Sequence, residues 1–177
     1  MRKLKLQELQ RLSIKEFKQR DKTPLVLVLD NVRSGLNVGS AFRTADAFAL
    51  EHVLLCGITA RPPHREILKT AIGATESVEW SYVEDPGEAV RQLREAGYRI
   101  WAVEQAEGST PLQSFQVKEG ERYALVFGNE VSGVSEAVME LVDGAIEVPQ
   151  FGTKHSLNIA VCIGVVSWEL TRRLRSM

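Results

Sequence analysis

The sequence predicts an α/β domain, a mostly parallel sheet flanked by helices, and three observations carry that reading. From residue 23 onward, short apolar runs rich in Val, Leu and Ile alternate with longer segments of helical spacing. The runs have few polar interruptions, as expected of strands covered on both faces. Three of them lead directly into polar segments containing glycine, the position at which open parallel sheets present their ligand sites.

Ser13 followed by Glu16 is a capping-box pattern. With Leu6, Leu9 and Leu12 before it and Ile14 and Phe17 after it, it predicts one or two short basic helices. The run LVLVLD at 25–30 follows Pro24 and is too short for a helix, so it reads as a buried strand. Residues 40–50 then read as helix and 52–57 as strand. The turn-rich RPPH leads into a helix over 65–71, and 77–83 is a weaker strand. Residues 86–96 form a helix with Pro86 at its start and Gly97 past its end. Strands follow at 98–103 and 123–127, then a short helix at 135–141 and a strand at 145–149. From residue 156 a final helix, apolar nearly all round, is expected to be buried before it emerges as a basic tail.

The 177 residues suit one domain with a full core, and 44% hydrophobic with 25% charged residues is an ordinary globular balance. No apolar run approaches the ~18 residues of a membrane span, and the basic start has no apolar stretch behind it as a secretory signal would. Cys56 and Cys162 lie far apart in apolar surroundings, which suits reduced core thiols in the cytoplasm. With three scattered histidines, no metal site is expected. The net charge of −1 taken alone argues against a polyanion partner, but its distribution reverses that inference. Residues 1–22 hold eight basic and three acidic side chains, a net of +5, so the other 155 residues carry −6. A basic arm of this kind can touch phosphate. It defines an extension over 1–22 ahead of a domain over 23–177.

The first polar segment, 30–48, lacks the G-x-G-x-x-G spacing of a dinucleotide loop and has no Walker lysine. A loop with Asn37 capping a helix accounts for its asparagine and glycines but leaves Arg43, a strong donor amid small and apolar residues, unexplained. The second, FGNEVSGVS at 127–135, places Glu130 at a strand end beside glycines that permit unusual backbone angles, with Ser135 as a cap. In the third, 148–161, Ser156 reads as the cap of the last helix. Asn158, just inside that helix, requires a partner because an unpaired buried amide costs about 1–3 kcal/mol.

Together and in this order, the segments resemble the SpoU-type (TrmH-like) branch of the SPOUT superfamily, RNA ribose 2′-O-methyltransferases. The likeness rests on Asn37-Val-Gly-Ser-Ala-Phe-Arg43, on Gly128-Asn129-Glu130, and on Val148-Pro149 followed by Ser156-Leu157-Asn158. Residues 69–78 are also similar to the family's middle region. The likeness spans roughly residues 24–172, with Gln150 departing where a methionine is common. It implies a C-terminal deep trefoil knot, S-adenosyl-L-methionine (AdoMet) as cofactor, a homodimer, and methyl transfer to a ribose 2′-hydroxyl of tRNA or rRNA. It also implies that Val103, Glu104, Gly128, Val148, Ser156 and Leu157 cradle the cofactor, largely through main-chain groups. Arg43, Asn37, Glu130, Ser156 and Asn158 form the catalytic set, with Glu130 orienting a neighbour or ion-pairing with Arg43. Arg33, Lys69 and Lys154, with Arg43, are the expected RNA contacts, and His155 is a less favoured candidate base. The rivals are an inactive RNA-binding or assembly protein of the same fold and a knotted methyltransferase acting on a base.

Overall fold

The computed structural model describes residues 1–9 and 11–176. Gln10, inside the expected basic arm, and Met177, at the end of the expected basic tail, lie outside the described residues, as do the side chains of Leu6 and Gln7. After a 3-10 turn at Leu6–Leu9, the chain runs α1 (Ile14–Gln19), β1 (Thr23–Asp30), α2 (Gly35–Ala47), β2 (Leu50–Cys56), α3 (Arg65–Ala71) and α4 (Ala74–Ser77). It continues through β3 (Trp80–Val83), α5 (Pro86–Glu95), β4 (Tyr98–Val103), β5 (Thr110–Pro111) and β6 (Arg122–Phe127). It closes with α6 (Glu136–Met139), β7 (Gly144–Glu147) and α7 (Ile159–Arg175).

The seven strands form one sheet in the order β3-β2-β1-β6-β4-β7-β5, and every described strand pairing is parallel. The period of two explains why the strand sequences read as unbroken apolar runs. In β1, Leu25, Leu27 and Leu29 face a core shared with α2, α3 and α7, whereas Val26 and Val28 face a second core shared with α5 and α6. Tyr123, Leu125 and Phe127 of β6 join the first core, and Ala124 and Val126 join the second. The arm is docked at its second half: the predicted capping box is present at Ser13 and Glu16, and Phe17 is buried in the first core.

Several boundaries differ from the sequence expectations. The helix expected over 40–50 begins at Gly35, because Ser34 caps it by accepting from the Asn37 N–H. Asn37 is therefore in the first turn of α2 rather than its cap. The strand expected over 77–83 starts at Trp80, since Ser77 ends α4. The helix expected over 135–141 is only Glu136–Met139; Ser135 stands at its cap position but makes no side-chain capping bond. The two-residue strand β5 left no legible periodicity. The last helix starts at Ile159, not 156, and its apolar surround is only half covered. Ile163, Val166 and Leu170 enter the core, while Val161, Val165 and Trp168, at i, i+4 and i+7, remain 54%, 41% and 56% exposed. Beyond this stripe, α2 and α3 also expose Leu36, Leu68 and Ile72.

Thr59 fixes the connection between β2 and α3 against β1. Its buried hydroxyl donates to the Leu29 carbonyl (3.0 Å) and accepts from the Val32 N–H (2.9 Å). Thr59→Val keeps the shape but strands that N–H. It is expected to lower the unfolding free energy by about 1–3 kcal/mol, read as a lower urea midpoint at unchanged slope.

Candidate active site

Because the sheet is parallel, the C-terminal ends of its adjacent central strands β1, β6, β4 and β7 share one edge. The ends of β1, β4 and β6 each carry a polar group that ties them to a neighbour. Asp30, wholly buried at the end of β1, accepts from the Ser135 N–H (2.8 Å) and from the Asn31 amide (2.7 Å). Glu104, just past β4, accepts from the Val134 N–H (3.1 Å) and the Gln105 N–H (3.0 Å). Asn129, just past β6, donates to the Asn31 carbonyl (2.8 Å) and accepts from the Val131 and Ser132 N–H groups. A tight approach underlies this packing. A Cβ on Gly128 would lie 2.0 Å from the Gly133 carbonyl carbon, so the second motif needs glycine there for space. The unusual backbone angle belongs to Gly133, at φ +71°.

Glu130 joins two segments nearly a hundred residues apart. Its carboxylate accepts from the N–H groups of Arg33 (2.8 Å) and Ser34 (3.0 Å) and from the Asn37 amide (2.9 Å). The charge thus sits at the N-terminus of α2, where main-chain donors are unsatisfied and the helix dipole favours an anion. Burial pushes the Glu130 carboxyl up, but these donors outweigh it and hold the group below its ordinary value. The Asn37 side-chain oxygen accepts from the Asn158 side-chain amide (3.4 Å). Asn158 itself accepts from the Ala160 and Val161 N–H groups, so Asn158, not Ser156, is the cap of α7. The expectation of a buried Asn158 and a capping Ser156 is corrected: both are exposed, Ser156 in the loop before the helix. The cap position explains why the helix starts late, since the asparagine oxygen satisfies two of its free donors.

A cavity of about 430 Å³ opens at the ends of β4, β6 and β7, within the ~300–1,000 Å³ range of small-molecule sites. It gathers the residues expected to hold the cofactor, Val103, Glu104, Gly128, Val148, Ser156 and Leu157, together with Glu130 and Asn158 of the catalytic set. Asn37 stands behind Glu130 and Asn158. Val103, Phe127, Ile146, Val148, Leu157, Ile159 and Cys162 supply apolar wall. Among the described residues, no hydrogen bond takes up the main-chain N–H groups of Gly128, Val148 or Leu157, which leaves donors for solvent or a ligand. Glu104, Glu130 and Glu147 line the cavity, and among the described residues no Lys or Arg does. An apolar wall for a purine, free main-chain donors and a negative rim fit an adenosine-bearing sulfonium and oppose a di- or triphosphate. The residues present therefore fit AdoMet.

Arg43 lies elsewhere. It is exposed on α2 and lines a shallow surface hollow with Lys69, Phe48 and Gly164 of α7, outside the cavity. It makes no ion pair among the described residues, and Glu130 is occupied by the start of α2 instead. Arg33 reaches the site through its main chain, and Lys154 is on the exposed loop over the cavity, next to His155, whose carbonyl accepts from the Gln105 amide (2.6 Å). Arg91, Arg94, Arg99, Arg122, Arg172 and Arg173 are in ion pairs. Arg33, Arg43, Arg61, Arg65, Lys69 and Lys154 form none among the described residues, and neither do Lys118 and Arg175, near the starts of β6 and β1. Asp30, Gln105 and Glu147 were not among the expected site residues, and Asn129 was named only within the Gly128-Asn129-Glu130 motif; of the first three, Asp30, a carboxylate ending an apolar strand, carried a readable signal. Burial pushes the Cys56 thiol up to about 12 and the Cys162 thiol up to about 11, which disfavours a thiolate at either position. Among the described residues, no cluster of His, Cys, Asp and Glu could hold a metal ion, and no helix is long and apolar enough to cross a membrane.

The chain is similar to known proteins in sequence and in fold. The chain is 33% identical over 151 residues to the 23S rRNA (guanosine-2′-O-)-methyltransferase RlmB of Vibrio parahaemolyticus, covering 85% of this chain and 60% of that protein. It is 31% identical to the tRNA (guanosine(18)-2′-O)-methyltransferase of Thermus thermophilus, covering 94% of this chain and 84% of that one. The AdoMet-bound rRNA methyltransferase structure from Sinorhizobium meliloti superposes with a TM-score of 0.80 at 28% identity, over 93% of this chain and 62% of that one. The chain thus spans about 60% of the length of the first of these relatives. Residues 24–168 match the model of the SpoU rRNA Methylase family, from the end of the basic arm to the middle of α7, and the chain belongs to that family.

Proposed function

We propose that the protein is an AdoMet-dependent RNA methyltransferase that transfers a methyl group to a ribose 2′-hydroxyl of tRNA or rRNA. The observation that carries this is the split of charge at the C-terminal edge of the sheet. Among the described residues the cavity is lined by carboxylates without a Lys or Arg, while Arg33 and Lys154, on segments next to it, form no ion pair. A cationic cofactor is favoured inside and a polyanion outside. The related enzymes named above act on rRNA and tRNA.

Val103, Glu104, Gly128, Val148, Ser156 and Leu157 would hold AdoMet, which when bound supplies a methyl group already activated on a sulfonium centre. The chain's own tasks are then to exclude water, to place the ribose oxygen in line, and to favour negative charge on that oxygen. Glu130, through Asn37 and the start of α2, positions Asn158 at the cavity mouth, and Ser156 and Asn158 are placed to orient the ribose. Arg43 acts as a clamp on the neighbouring phosphate and the developing alkoxide rather than as a base, because a planar guanidinium is a fork of donors with no acceptor and suits bidentate contact with an anion. In a single protomer it stands outside the cavity, beside the exposed apolar stripe of α7. A homodimer that covers this stripe together with Leu36, Leu68 and Ile72 would deliver Arg43 of the partner subunit. Arg33, Lys69 and Lys154 contact RNA phosphates, and the arm over 1–22 adds charge to the domain over 23–177. The deep trefoil knot and a cytoplasmic location belong to the same reading.

Incubation with labelled AdoMet and total cellular RNA, followed by alkaline hydrolysis, is expected to leave the label in alkali-resistant dinucleotides. Labelled mononucleotides would mean a base methyltransferase, and no transfer at all an inactive binding protein. In the same assay Arg43→Ala is expected to lower turnover by about 100-fold or more, with AdoMet affinity by equilibrium dialysis unchanged. Normal turnover would remove Arg43 from the reaction. Because folding holds Glu130 below its ordinary carboxyl value, its contribution to stability is full above that value and is lost as the pH falls through the lower, folded one. Glu130→Gln is therefore expected to melt below wild type at pH 7, with the gap in Tm narrowing as the pH drops below about 4.5.

A further inference from the structure

We propose that the hollow formed by the β2–α3 connection (57–64) against β3 is a second nucleotide subsite, which takes one unstacked base of the RNA and its phosphate. The inference rests on the proposed function only for the ligand being RNA. The hollow has a volume of about 760 Å³ and is lined by Trp80, Tyr82, Pro62, Arg61 and His64 beside main chain of the connection; no Asp or Glu lines it. The Arg61 guanidinium lies over the Tyr82 ring at 4.2 Å, and Arg61 makes no ion pair among the described residues. A guanidinium over a ring combines a stacking surface for a base with donors for a phosphate, a mode used for unstacked nucleotides.

The hollow is held in shape without a ligand. Thr59 is bonded to Leu29 and Val32, the Ile58 N–H donates to the Asn31 side-chain oxygen (3.1 Å), and the Tyr82 hydroxyl donates to the Gly57 carbonyl (3.0 Å). Its place in the fold ties it to the reaction site. Residues 31–34 contact the hollow's connection through Asn31 and Val32 and contact Glu130 through Arg33 and Ser34. One short segment therefore separates a carboxylate-lined cavity from an aromatic and cationic hollow. An RNA strand laid along this edge would place a ribose at the first and a nearby nucleotide in the second.

The test is titration of the full chain with a single-stranded RNA 12-mer carrying 2-aminopurine, whose emission is quenched on stacking, with AdoMet affinity measured in parallel. Wild type is expected to quench it. Arg61→Ala, a change at an exposed position, is expected to weaken binding about five- to tenfold and to lower the salt slope by about 0.7. Tyr82→Phe, which keeps the ring, is expected to quench like wild type, and Tyr82→Leu to lose the quench at a thermal midpoint measured alongside. Unchanged affinity and quench in Arg61→Ala overturn the proposal, as does binding of a proline-rich peptide by the hollow with no quench by RNA. The readout needs no turnover. Quenching without methyl transfer would keep the subsite and reject the catalytic reading; transfer with Arg61→Ala indistinguishable from wild type in binding would do the reverse.

Discussion

The carboxylate of Glu130 accepts three hydrogen bonds from the first turn of α2 and the residues just before it, and much of the functional edge hangs on that contact. It anchors the loop after β6 to the helix after β1, and through Asn37 it reaches the cap of α7. The contact joins the three polar segments that lie far apart in the chain. It is physically favourable for the reason any anion at a helix start is: the N–H groups there have no partner within the helix. A carboxylate so engaged has few acceptor sites left, which supports the proposed positioning role of Glu130.

The parallel sheet makes this concentration of groups possible. With every described pairing in one direction, Asp30, Glu104, Asn129 and Glu147 all fall at the same edge, and each must be tied or solvated. The chain ties the first three to loop N–H groups and so builds a cavity with a negative lining. Its ion pairs are elsewhere: Arg99 and Arg122 are paired near the starts of β4 and β6, and Arg91 and Arg94 on α5. The unpaired cations on α2, α3 and the edge loops are then available to an anion too large to enter the cavity.

The strands were legible because burial on both faces leaves runs such as LVLVL with no polar residue to confuse the period. Helix α5 was legible from Pro86 and Gly97. The start of α2 was read five residues late, because its glycines suggested a loop and the donors that let a helix begin there are satisfied by Glu130, ninety-odd residues away. The cap of α7 was misplaced at Ser156 for a related reason. Serine and asparagine both cap well, and only the fold shows Asn158 accepting from the two N–H groups. The exposed stripe Val161, Val165 and Trp168 was hidden in a sequence that is apolar on every side, since composition cannot tell a core face from a face left for a partner.

By itself the sequence determined the alternation of strands and helices, the polar segments at three strand ends, and the uneven charge hidden in a net of −1. These are local properties: periodicity, turn chemistry and a count of charges along a segment. Only the tertiary structure decided that Val103, Glu104, Gly128, Val148, Ser156 and Leu157 share one cavity while Arg43 lies outside it. Only the structure brought Arg61 onto Tyr82 beside the same edge. Both outcomes depend on strand order, which places β1, β6, β4 and β7 side by side, and on hydrogen bonds between residues a hundred positions apart. No local pattern encodes such pairings, because each partner is satisfied by a group the chain meets only after it has folded.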